Sequence, residues 1–97
     1  MGYRLTVAAE EDIIAIATNG FALFGESKAR QYHQHLLRMF ELISLNPRMA
    51  RERDEITPPV RVHPFQAHLI IYRIEENNDI LVIRVRHAHE DWIADSY

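Results

Sequence analysis

The spacing of apolar side chains changes twice along the chain, and those changes predict its elements. From Tyr3 to Val7 the apolar positions are every second one, Tyr3, Leu5 and Val7 against Arg4 and Thr6, as in a strand with one buried face. The interval then lengthens to three and four. Ile13, Ala17, Phe21 and Phe24 follow at helical spacing behind Glu10, Glu11 and Asp12, three carboxylates whose charge suits the first turn of a helix. Asn19-Gly20 is a turn signal within that stretch, but a glycine in a helix interior costs only about 1 kcal/mol, so one continuous helix is predicted. Gly25 stands where a helix end favours a left-handed residue, and Ser27 is placed to cap a second helix. Ala29, Tyr32, Leu36, Phe40 and Ile43 carry the most regular helical period in the chain, with Tyr32 and Phe40 read as core. Asn46-Pro47 ends it, because the residue before a proline is pushed out of the helical region. So tight a connection predicts an antiparallel helical hairpin.

Residues 48–59 are charged and aperiodic and close on Pro58-Pro59, the marks of a loop. In that loop Arg48, Arg51 and Arg53 alternate with Glu52, Asp54 and Glu55, which favours a solvated, self-paired segment over a phosphate-binding patch. Val60 to Phe65, His68 to Glu75 and Ile80 to His87 are rich in β-branched and aromatic residues, and Glu76-Asn77-Asn78-Asp79 marks a turn between the last two. Glu90 to Tyr97 is expected to add a closing helical turn, with Trp92 and Ile93 packed on the sheet edge. The predicted fold is α+β and a single domain over residues 1–97. An N-terminal strand and an antiparallel helical hairpin are followed by a three-stranded antiparallel meander, and the helices cover one face of the sheet. Simple alternation in the last strand sends Leu81, Ile83 and Val85 one way and Val82, Arg84 and Arg86 the other, so two arginines share a face.

Composition narrows the function classes. With 97 residues and 47% apolar content, the chain can build one core. The absence of cysteine removes disulfides, thiolate nucleophiles and thiolate zinc sites. No apolar run approaches the roughly 18 residues of a membrane helix, and the start lacks a basic stretch followed by an apolar one, so no membrane contact and a cytoplasmic location are expected. A net charge of −3 does not attract phosphate backbones as a basic nucleic-acid binder would. The cations are arginines apart from Lys28, a bias that suits bidentate recognition of an anionic partner.

The order of elements, with Phe24-Gly25 between the helices, Asn46-Pro47 after them, His68-Leu69-Ile70-Ile71-Tyr72-Arg73 in the middle strand and Ile83-Arg84-Val85-Arg86-His87 in the last, resembles the ParE-type toxins of the ParE/RelE superfamily over nearly the whole chain. The resemblance implies a toxin neutralised by a cognate ParD-like antitoxin whose C-terminal segment wraps it. It also implies DNA gyrase as target and contact with DNA only indirectly, through the antitoxin. RelE relatives instead cut messenger RNA on the ribosome, so the fold alone leaves the chemistry open.

RNA cleavage needs a base, an acid and cations for the developing charge. Arg61, Arg84 and Arg86 with His87 or His89 are candidates for such a rearranged site. RNA-cleaving relatives with histidine chemistry carry His then Tyr at the end of the last strand. Ala88 and His89 stand at those positions here, and Leu69 stands where a middle-strand arginine is expected. No catalytic residue is therefore assigned. Arg61, Arg73, Arg84, Arg86 and His87 are taken as binding residues for antitoxin or target. An inert relative kept only for pairing with its antitoxin is a third reading. His87 and His89 with Glu90 or Asp91 resemble half of a metal site but lack a second ligand pair, and His33 and His35 do not face each other on a helix, so neither metal nor cofactor is expected.

Overall fold

Thr6 is the point at which strand gives way to helix. Strand β1 (Tyr3–Leu5) stops just before it and helix α1 (Val7–Phe24) begins just after it. Its hydroxyl accepts the Ala9 N–H at 3.0 Å and caps the helix. The first strand is thus two residues shorter than predicted, and of the three carboxylates only Glu10 lies in the first turn. The helix runs through Asn19-Gly20 unbroken. Gly25, at φ 89° and ψ 169°, donates its N–H to the Phe21 carbonyl and offers its own carbonyl to Ala29 N–H. That positive φ is open to glycine at little cost. One residue therefore closes α1 and opens α2 (Glu26–Leu45), and Ser27, expected as the cap, falls inside the first turn of α2. Asn46-Pro47 ends α2 as predicted.

The computed structural model describes residues 2–88, so Glu90 to Tyr97 and the packing expected of Trp92 and Ile93 lie outside the described residues. After α2 come β2 (Glu52–Arg53), β3 (Val60–Phe65), β4 (His68–Ile74) and β5 (Ile80–His87). The sheet has five strands in the order β1-β5-β4-β3-β2, with β1 parallel to β5 and the other pairs antiparallel. The predicted α+β layout is present with one additional strand. Strand β2 lies inside the segment expected to be loop and pairs Glu52 with Arg61 and Arg53 with Val60. Two residues are too few to leave a period in the sequence. Within that segment Arg53 donates to Glu55 at 2.7 Å, one of the internal charge pairs expected there.

Ala9 and Ile13 of α1 and Leu36, Phe40 and Ile43 of α2 pack with Ile70, Tyr72, Ile80, Val82 and Val85 of the sheet. Full burial stabilises by about 1.5–3 kcal/mol for each large apolar side chain. Val82 and Val85 are three positions apart yet both enter this core, which corrects the simple alternation predicted for the last strand. Opposite β4 the register moves from Ile71↔Arg84 to Tyr72↔Val82, leaving Ile83 as the inserted residue of a β-bulge. Here β1 has already ended, and the bulge is held from α1 instead. Thr6 Oγ1 donates to the Ile83 carbonyl at 2.6 Å, and Asp12 Oδ2 accepts the Val85 N–H at 3.0 Å. Partly buried backbone groups need such partners, and the capping residue of α1 and a side chain of the helix itself supply them.

Candidate functional site

Cross-strand partners share a sheet face, so the pairing places each arginine. Arg73 is opposite Leu81, Arg84 opposite Ile71 and Arg86 opposite Leu69, all on the face turned away from the helical hairpin. Arg73 is exposed, whereas Arg86 keeps only 8% of its surface. Arg84 donates to both oxygens of Asp12 at 2.7 and 2.8 Å. Such a bidentate, partly buried pair is among the stronger charge-assisted contacts, and it braces α1 against the bulge. Arg84 and Arg86 share a face as predicted, but Val82 is not with them.

Arg61 is not part of this group. It is opposite Tyr72 on the helix-covered face, where its Nη1 donates to the Ala50 carbonyl at 2.6 Å. Beside it the Tyr72 hydroxyl donates to the Pro47 carbonyl at 2.7 Å, and burial raises the pKa of that phenol. These two side chains hold the turn after α2 against the sheet.

His87 also belongs to the helix side. It pairs with His68, and the two imidazole rings meet edge to face with centroids 5.4 Å apart. Nδ1 of His68 lies 2.6 Å from the hydroxyl of Tyr32 on α2. Burial raises the Tyr32 pKa, which keeps the phenol protonated. Tyr32, read from its spacing as core, is therefore only half-buried and forms the floor of a groove. The groove, about 780 Å³, lies between the tip of the hairpin and the β3–β4 turn, a volume typical of ligand and peptide clefts. Phe21 and Phe24, placed by their spacing on the inward stripe of α1, are instead 59% and 65% exposed, and Leu23 beside them is 74% exposed. The signal for this was available. Phe21, Leu23 and Phe24 surround the last turn of α1, and a helix apolar on all sides cannot bury every side against one sheet.

An RNA-cleaving site built from Arg61, Arg84 and His87 would need them at one point. The sheet puts Arg61 and His87 on one face and Arg84, bound to Asp12, on the other. His89 lies outside the described residues. Among the described residues there is no group of three metal-ligating side chains, and no helix is long and apolar enough to cross a membrane. Thr6, Asp12, Tyr32, Lys28 and His68 were not singled out for these surfaces by sequence reasoning. Their roles depend on contacts across the fold.

Fold and surfaces together define a small α+β domain with an arginine-bearing sheet face on one side and an apolar, histidine-lined groove on the other. The model for the ParE toxin of the type II toxin-antitoxin system parDE matches residues 3–92, and the chain belongs to that family. It is 32% identical over 89 residues to Toxin ParE1 of two Mycobacterium tuberculosis strains, CDC 1551 / Oshkosh and ATCC 25618 / H37Rv, covering 92% of this chain and 91% of theirs. A solved chain from the chromosomal ParDE TA system of P. aeruginosa superposes with a TM-score of 0.76 at 20% identity, covering 90% of this chain and 95% of that one, a likeness of fold.

Proposed function

We propose that this ParE-family toxin poisons DNA gyrase by protein–protein contact in the cytoplasm. In this reading it is neutralised by a ParD-like antitoxin, which carries any contact with DNA. The observation that supports action by contact is the separation of the residues a nuclease would use: Arg61 and His87 lie on the helix face, and Arg84 lies on the other face in a bidentate pair with Asp12. Acid–base catalysis needs its groups within hydrogen-bond reach of one reacting centre. The antitoxin's carboxylates are matched to exposed Arg73, and its apolar anchors to the groove beside His87, while Arg84, held by Asp12, and buried Arg86 serve the sheet. Arg61 serves the turn at Ala50 and is left out of the partner surface.

Expression without antitoxin tests the target. Division should halt and the DNA-damage response should rise while bulk messenger RNA stays intact, and purified protein should trap gyrase-cleaved DNA. Rapid loss of translated messages without DNA damage would transfer the chain to the ribosome-dependent nucleases. Exposed Arg73 tests the antitoxin contact with little risk to the fold, and Arg73→Glu should weaken the complex.

A further inference from the structure

Two histidines from different strands meet at one end of the sheet. His68 begins β4, His87 ends β5, and the two are cross-strand partners. The Ala88 N–H donates to the Ala67 carbonyl at 2.9 Å, so the neighbouring pair, His87 with His68, is the kind without mutual backbone hydrogen bonds. Side chains stand closest in such a pair, with Cβ atoms about 4.5–5.5 Å apart.

The two ring centroids are 5.4 Å apart. Two imidazoles on a tetrahedral metal have nearly this spacing. A metal–nitrogen bond of about 2.0–2.1 Å, with about 1.2 Å from ring nitrogen to ring centre, puts their centroids about 5.2 Å apart. The ring planes stand at 76°, and a turn of the exposed His87 ring about its broad χ2 torsion directs a nitrogen at the shared point. His68 is the fixed member of the pair. Its Nδ1 is engaged by the Tyr32 hydroxyl at 2.6 Å, which makes Nε2 the ligating nitrogen. With a metal on Nε2, Nδ1 carries the proton and donates to the Tyr32 oxygen, and the hydroxyl hydrogen turns to the Phe65 carbonyl, 3.5 Å away. A hydrogen bond at the second ring nitrogen is what fixes the tautomer and orientation of a metal-ligating histidine. Among the described residues no Asp or Glu lines the groove beside the pair, so the donors are neutral nitrogens. Such donors select late transition metals over Mg²⁺ and Ca²⁺, hard ions that need oxygen.

We propose that His68 and His87 form a site for a divalent late transition metal, Cu²⁺, Ni²⁺ or Zn²⁺, with solvent completing the coordination. The bound ion ties the end of β5 to the start of β4. The site is independent of the gyrase and antitoxin readings. In the sequence His87 lacks a second ligand pair nearby, and the sheet supplies its partner from the preceding strand.

The test is calorimetric titration of the full, untagged chain with each of the three ions in buffer without chelator, with Mg²⁺ as control. Cu²⁺ is expected to bind most tightly, as the general order of affinities requires, and Mg²⁺ not at all. The melting temperature should rise with Zn²⁺ concentration, as for any ligand of the folded state. His87→Gln, at an exposed ring, should weaken binding about ten-fold or more, and His68→Gln likewise, with circular dichroism confirming each fold in the absence of metal. Tyr32→Phe keeps the ring but removes the hydroxyl that orients His68, and should weaken binding about ten-fold. Unchanged affinity in folded His87→Gln overturns the proposal. So does binding that survives His68→Gln and is lost with His89→Gln, since it would belong to the local His87-Ala88-His89 sequence instead. A response to Mg²⁺ equal to that of the three ions, or no binding of any of them, overturns it as well.

Discussion

The base and the tip of the helical hairpin carry the same kind of apolar stripe, yet only the base is buried. At the base Phe40, Ile43 and Ala9 are wholly enclosed against Tyr72, Ile80 and Val82. At the tip Phe21, Leu23 and Phe24 remain exposed. The difference comes from lengths. Helix α2 has 20 residues and is about 30 Å long, while the seven residues of β4 span about 23 Å. Helix α2 is thus longer than the strand, and the apolar side chains of the last turn of α1 stay exposed. The base serves stability; the tip leaves large apolar side chains grouped at the surface.

The strongest way to break this comparison is a deletion at the base. Phe40→Ala removes a fully buried aromatic side chain whose ring meets that of Tyr3 at a tilt and should cost about 3–5 kcal/mol in urea denaturation. A loss under about 1 kcal/mol would mean that the base is no more committed to the fold than the tip. Next in size is the brace between α1 and the bulge. Asp12→Ala leaves the Arg84 guanidinium and the Val85 N–H without that carboxylate and should cost roughly 1.5–3 kcal/mol. Asp12→Asn, which keeps an acceptor for the backbone, should restore part of it. Equal stability of the two variants would show that the charge contributes nothing. The smallest effect on stability belongs to the tip. Leu23→Ser with Phe24→Ser should change unfolding by no more than about 0.5 kcal/mol, while antitoxin affinity falls about ten-fold or more, as for the loss of buried anchors. Destabilisation comparable to that of Phe40→Ala would make the tip part of the core.

Much of this molecule could be read from residue spacing. Helix α2, the ends of β3 and β5, the Gly25 connection and the stop at Asn46-Pro47 follow from local periodicity and local backbone preference, which act within a few residues. The shared face of Arg84 and Arg86 was legible for the same reason, since side chains two apart on a strand lie on one side. Strand β2 was not, because two residues carry no period. The roles of Asp12 and Tyr32 were also hidden. Each sits in an ordinary helical pattern and takes its role from a residue far along the chain: Asp12 from Arg84 and Val85, Tyr32 from His68.

By itself the sequence determined the kinds of elements, their order and the chemical character of the side chains available for contact, because propensity, capping and periodicity are local. Only the tertiary structure decided which side of the sheet each candidate occupies. The inserted Ile83 reverses the parity of β5, turning Val85 to the core alongside Val82 and leaving Arg84 and Arg86 on the opposite face. Strand pairing sends Arg61 and His87 to the helix side. A one-residue change of register reverses every later side chain, and such a change depends on hydrogen bonds from Thr6 and Asp12, some seventy positions away in the chain, that no local pattern records.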